Sequence, residues 1–263
     1  MHQMDLTEGV IWKKLILYAG PVVLSSLLQS AYSITDLIVA GWFIGKDGIS
    51  AINNASQVMM ILTQIIMGIT TGGNILMGQY FGSKDRSNRV KTNRTMFGFA
   101  LSAGALLSVL LFLLSRPILA ALRAPALEEA TAYLQVCSAG LIAIFGYNAL
   151  AAMLRSVGNS KQPFYCVAVT AGCNIALDCL FMGGFRWGVR GAALATVLAQ
   201  WASFVVCLVY VLRHRDLFGL VRRQISFHKD KMVQILKLGI PCAVQMTVVG
   251  LSWLAMTFLI NAY

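Results

Sequence analysis

An all-α polytopic membrane protein, built as a six-helix bundle followed by one further helix, is the fold that this 263-residue sequence predicts. Three observations predict it. The chain is 58% hydrophobic and only 12% charged, with a mean hydropathy of +0.72, which leaves too few charges to cover a soluble domain of this length. Seven stretches are long and nearly free of charge, each at or beyond the ~17–25 residues that a spanning helix needs. The basic residues concentrate in alternate connections, as they do when helices cross a bilayer one after another. A closed barrel would show ~10-residue apolar/polar alternation, and none is present.

The first stretch, residues 15–44, contains Pro21 and a single charge, Asp36. Trp12 at its inner end and Trp42 near its outer end are placed as interfacial anchors. A short GKDG connection (45–48) leads to the second stretch, 48–83, and FGSKD (81–85) leads toward the third, 96–114. The fourth, 130–154, holds Tyr147 and Asn148 among apolar residues. RSVGNSKQP (155–163) joins it to the fifth, 163–185, whose only charge is Asp178. The sixth, 191–212, carries Thr196, and the seventh is 238–263.

Residues 213–237 hold nine charges and read as a basic linker between two units, 1–212 and 238–263. An internal repeat marks the same boundary. LILYAGPVVLSSLLQ around Pro21 matches ILKLGIPCAVQMTVV around Pro241, 220 residues later. Six helices per unit would start both units on the same side, a parallel repeat. Met256 stands where Asp36 stands in the first copy. The chain stops where its seventh helix ends, so the expectation is a partial second unit. A complete path would then need the missing second lobe or a second copy.

With the N-terminus in the cytoplasm, the inner segments hold Lys13 and Lys14; Lys84, Arg86, Arg89, Lys91 and Arg94; Arg155 and Lys161; and seven more between Arg213 and Lys237. Sixteen of the 21 basic residues therefore lie inside. The +11 net charge thus fits anionic lipid headgroups rather than nucleic acid, and places the protein in a plasma membrane, the inner membrane of a bacterium. No cleavable leader is evident. The six cysteines all fall in apolar segments with no CxxC pair, so neither a zinc site nor a disulfide framework is indicated.

Asp36 and Asp178 are the only charges inside the seven stretches. An ionised carboxylate at the centre of a bilayer helix costs about 2.5–3.5 kcal/mol on the insertion scale, so one kept there faces a polar cavity and handles ions or protons. No Lys or Arg lies within a stretch to pair with either. Asn174 and Asp178 are four apart and share a helix face; Gln29, Tyr32 or Ser33, and Asp36 form a polar stripe at the same spacing. Carboxylate, amide and hydroxyl oxygens are hard ligands for a small cation, and a desolvated carboxylate can carry a proton. The bland reading of Asn148, Asn174 and Thr196 is helix–helix hydrogen bonding at about 0.6 kcal/mol each. An intramembrane aspartyl protease would need a GxGD setting, which neither aspartate has. Phosphate-loop and HExxH patterns are absent too, so no enzyme and no cofactor is indicated.

The segments TEGVIWKKLILYAGPVVLSSLLQSAYSITDLIVAGWFIG, GQYFGSKD, YNALAAMLRSVGNSKQP, NIALDCLF and GVRGAALATVLAQ resemble the multidrug and toxin extrusion (MATE) transporters, from Thr7 to the end. The resemblance implies a twelve-helix, two-lobe, cation-coupled antiporter that exports small organic, cationic or amphipathic compounds in exchange for H⁺ or Na⁺. It also implies that Asp36, Asn174, Asp178 and Thr196 form the cation or proton site. Gln29, Tyr32 and Asn148 would line the substrate cavity, and Pro21 would be the hinge of a bending first helix. The alternative within the wider group is a lipid-linked precursor flippase, which tends to keep basic residues in its cavity; none lies within a span here.

Overall fold

In the computed structural model, residues 11–219 and 227–262 are described. They form α1 (Ile11–Phe43), α2 (Gly45–Gly82), α3 (Arg86–Ala121), α4 (Leu127–Ser138), α5 (Leu141–Ser156), α6 (Lys161–Asp178) with a π-helical turn (Cys179–Gly184), α7 (Gly188–Arg213), the short α8 (Arg215–Phe218) and α9 (Lys229–Ala262). No strand occurs among the described residues. The chain is an all-α membrane protein. In hydrocarbon every backbone N–H and C=O must be satisfied within the protein, and a long helix does this for itself. Large apolar side chains remain on the outer surface, as lipid contact requires: Leu106 and Leu113 on α3 are 62% and 67% exposed.

Among the described residues six helices are long and apolar enough to cross a membrane, and α4 with α5 makes a seventh crossing if the pair is one span bent by 48°. The expected fourth helix is therefore broken at Ala139–Gly140. There the backbone tightens into i→i+3 bonds, Ala139 N to Val136 O at 3.2 Å and Gly140 N to Cys137 O at 2.9 Å. Ser108 on α3 donates to the Ser138 carbonyl at 2.7 Å, satisfying an oxygen at the break. A Cβ on Gly140 would lie 3.3 Å from Val197 of α7, so glycine allows the bend to approach that helix.

Three expected connections are also corrected. GKDG is not a loop: α2 begins at Gly45, whose φ of +80° reverses the chain next to Ile44 without further residues. In FGSKD, Phe81 and Gly82 still belong to α2. The linker is not irregular through Lys237, because α9 starts at Lys229. Its Arg222 and Arg223, and the first ten residues expected on the inner side, lie outside the described residues.

The carboxylate of Asp85 caps α3, accepting from Asn88 N at 3.1 Å and from Asn88 Nδ2 at 2.7 Å. The Asn88 backbone donor holds the Asp85 carboxyl below the usual carboxylate range. A depressed folded value means that the contribution is present above the unfolded value and is lost as pH falls through the folded one. Purified Asp85→Asn should therefore melt below the parent at neutral pH, and the gap should close on acidification. A gap that widens on acidification would contradict the cap.

α9 docks on α2 through glycines. Gly68 and Gly72 face Ala243 and Gly239; a Cβ on Gly72 would sit 2.3 Å from Gly239 N, and one on Gly68 2.2 Å from Ala243 Cα. Small residues let two backbones approach closely where lipid supplies no hydrophobic drive. At one end of this crossing Lys231 is buried, donates to Tyr80 Oη at 2.8 Å and lies 4.7 Å from the Tyr80 ring centre. Tyr80 in turn donates to Gln234 Oε1 at 3.1 Å.

The start of α3 holds the segment after α7. Arg86 Nη2 donates to Asp216 O (2.8 Å), Arg89 Nη2 to Leu217 O (3.1 Å), Asn93 Nδ2 to Phe218 O (2.8 Å) and Arg94 Nε to Gly219 O (2.9 Å). These carbonyls at the end of a short helix would otherwise lack partners. Beyond the undescribed residues, His228 N donates to Thr95 Oγ1 at 3.1 Å, again on α3.

Candidate functional site

The site is assembled from α1, α4, α6 and α7. On α6, Asn174 and Asp178 lie one turn apart and are 1% and 0% exposed. α6 ends at Asp178, and the π-helical turn follows at once, with Phe185 N bonded five residues back to Leu180 O at 2.9 Å. Such turns inside apolar helices gather at functional sites. The chain then returns along α7, where Gly191 lets the Phe181 backbone pass: a Cβ there would be 3.2 Å away. This return brings Thr196 level with Asn174, whose Nδ2 lies 3.5 Å from Thr196 Oγ1, a long hydrogen bond. Thr196 Oγ1 itself donates to Ala192 O at 3.1 Å.

Asp36, half-buried on α1, completes the group. Its carboxyl lies close to that of Asp178, with no hydrogen bond formed between the two. The structure therefore brings Asp36, Asn174, Asp178 and Thr196 together. Four buried acceptor oxygens there have no donor among the described residues: Asp36 Oδ1, Asn174 Oδ1, and both oxygens of Asp178. Buried acceptors are paired as a rule, so such a cluster calls for an account beyond packing. The donor set is all oxygen, hard and anionic, which suits a proton or a small hard cation. Among the described residues no three His, Cys, Asp or Glu side chains group together as a transition metal would need.

The other expected residues are placed differently. Tyr32 is half-buried next to Asp36 and beside Gln200 on α7. Gln29 is exposed on α1. Asn148 is buried on α5, and its amide donates to Ile144 O at 2.8 Å within its own helix, so it stands outside the carboxyl cluster. Pro21 lies inside an unbroken α1, with the Ser25 hydroxyl donating to its carbonyl at 2.7 Å.

Sequence reasoning missed Tyr133. It is 3% exposed on α4 and packs beside Ser56 of α2, Thr196 of α7 and Asp36. An aromatic near the end of an apolar stretch reads as an interfacial anchor. Only the packing of α4 against α7 turns it inward.

The MatE family model matches residues 21–180, more than half of the chain and most of the site. The chain belongs to the MatE family. Probable multidrug resistance protein YoeA of Bacillus subtilis (strain 168) is 29% identical over 262 residues, covering 96% of this chain and 57% of the relative. Probable multidrug resistance protein YpnP of the same strain is 29% identical, covering 100% and 59%. The chain thus spans less than three-fifths of the length of these MatE relatives. An outward-facing structure of a multidrug resistance MATE transporter of the MOP superfamily superposes with a TM-score of 0.86 at 21% identity, over 94% of this chain and 55% of that one. An inward-facing structure gives 0.77 over 88% and 55%. These two likenesses establish the fold.

Proposed function

We propose that this chain supplies the cation-coupled lobe of an antiporter that exports organic cationic or amphipathic compounds in exchange for H⁺ or Na⁺. The observation that carries the reading is the set of four unpaired acceptor oxygens where Asp36, Asn174, Asp178 and Thr196 meet. Asp36 and Asp178 bind the coupling ion, Asn174 and Thr196 supply neutral oxygens, and Tyr133 holds Thr196 in place. Tyr32 links this cluster toward a cavity that includes Gln29 and Asn148. Its substrate class follows the multidrug descriptions of YoeA and YpnP.

Coupling requires that ion and substrate favour different arrangements of one element. α1 is that element, because it carries Asp36 and because Pro21 has no N–H to give the Leu17 carbonyl. A bend near Pro21 would move Asp36 relative to Asp178. The cavity needs an opposite wall, from a second lobe or from a second copy of this chain.

Ion binding to the purified chain, measured by titration calorimetry with Na⁺ and by proton release at fixed pH, tests the site. Thr196→Ala removes one neutral ligand worth about 0.5–1.5 kcal/mol, so affinity should fall by no more than about tenfold. Ion binding that is the same in the parent and in a chain lacking both carboxylates would sink the assignment.

The orientation has its own test. Arg86, Arg89 and Arg94 bind the segment after α7, and Tyr18 near the start of α1 donates to Arg155 O at 3.2 Å, so these basic clusters share one end of the bundle. We place that end in the cytoplasm by the positive-inside rule. In intact cells a cysteine at Ser87 should stay unlabelled by an impermeant maleimide until the membrane is opened. Rapid labelling from outside would reverse the topology.

A further inference from the structure

Two cysteines outside the carboxyl cluster are paired across helices. Cys166 on α6 and Cys207 on α7 are both 0% exposed, and their thiols lie close enough across the α6–α7 contact to act on one another. The pairing is built into the helix contact. Ser203, one turn before Cys207 and itself buried, donates to the Cys166 carbonyl at 3.0 Å, which fixes the level of α7 against α6. The Thr170 hydroxyl donates to the same carbonyl at 3.0 Å. The other four cysteines (Cys137, Cys173, Cys179 and Cys242) are free as well.

We propose that Cys166 and Cys207 form a binding site for a linear, two-coordinate soft metal ion, of which mercury(II) is the representative. Thiolate sulfur selects soft ions. The apolar surroundings then select by charge. Two thiolates on a divalent ion give a neutral adduct, whereas two on a monovalent copper leave a net negative charge that the bilayer interior penalises. Zinc would need two further ligands, which the pair lacks. Mercury enters as neutral mercuric chloride through the lipid. Each S–H bond breaks, each sulfur bonds to mercury, and the two chlorides leave with the two protons as HCl, with no change of oxidation state. The second Hg–S bond is intramolecular between groups already held together, so the bridged form outcompetes single thiols in solution. The bridge would staple α6 to α7 about 12 Å along α6 from Asn174, and so fix the two helices that carry Asn174, Asp178 and Thr196.

The test uses the 263-residue chain with Cys137, Cys173, Cys179 and Cys242 replaced by alanine, exposed to mercuric chloride and washed with excess 2-mercaptoethanol. Native mass spectrometry should show one mercury retained per chain, and Cys166→Ser or Cys207→Ser should lose it while far-UV circular dichroism stays unchanged. The unsubstituted chain gives a second reading that needs no variant: proteolysis should release α6 and α7 peptides joined through mercury. No retention after the monothiol wash, retention in either single variant, two mercury atoms on the pair, or a Cys166–Cys207 disulfide in the untreated chain would each overturn the proposal.

Discussion

Asp178→Asn, in a transport-competent assembly reconstituted into proteoliposomes, is expected to abolish the response of drug efflux to an imposed proton or sodium gradient while the protein still folds. The fold should survive because the amide keeps the shape of the carboxyl and removes a group whose ionised form costs about 2.5–3.5 kcal/mol at mid-bilayer. Coupling should vanish because Asp178 has both oxygens buried and without a donor, and the Asp36 carboxyl beside it. A neutral amide can neither take up a proton there nor neutralise a bound cation. Asp36→Asn should behave in the same way, since it removes the other half of the pair. If Asp178→Asn transports with an undiminished response to both gradients, the aspartate is structural and the mechanism proposed above is wrong.

Gly72→Leu is expected to undock α9. The new Cβ would fall 2.3 Å from Gly239 N and 2.7 Å from Ile235 O, and both are backbone atoms that cannot swing aside. Overpacking costs about 1–3 kcal/mol when side chains can adjust, and a backbone clash lies at or above the upper end of that range. Hydrogen exchange in detergent should report faster exchange across residues 235–247, with the amides of α6 and α7 unaffected. Gly172→Ala is the control. Nothing lies within 4 Å of its Cβ position, and α6 should gain about 0.5–1 kcal/mol from the lost chain entropy. Unchanged exchange along α9 in Gly72→Leu would mean that the two helices are not held by this crossing.

What could be read from the sequence follows the size of each energetic penalty. Asp36 and Asp178 stand out because a carboxylate in hydrocarbon is costly enough to be rare, and their i+4 and stripe neighbours Asn174 and Tyr32 follow from helix periodicity. Tyr133 carries no such penalty, so nothing in the string separates it from an anchor. The bend between α4 and α5 depends on Gly140 meeting α7 at Val197 and on the Ser108 hydroxyl of α3, contacts between residues far apart in the chain. Helix ends were misjudged where charge was taken as the limit of a helix. Lys46, Lys229, Lys231 and Lys237 all lie within helices, because a helix can extend past the hydrocarbon into the headgroups. The spacing of Gly68 and Gly72 is visible in the string, but not that Gly239 and Ala243 meet them.

The hold of α3 on residues 216–219, together with the Thr95 contact to His228, bears on how this molecule could be instrumented. Both ends of the segment between α8 and α9 are tied to a single helix of the first bundle. A fluorescent protein inserted there would ride on α3 whatever α9 does, and its signal would be blind to motion between lobes. It would instead serve as a stationary fiducial, against which a dye on α9 could be measured.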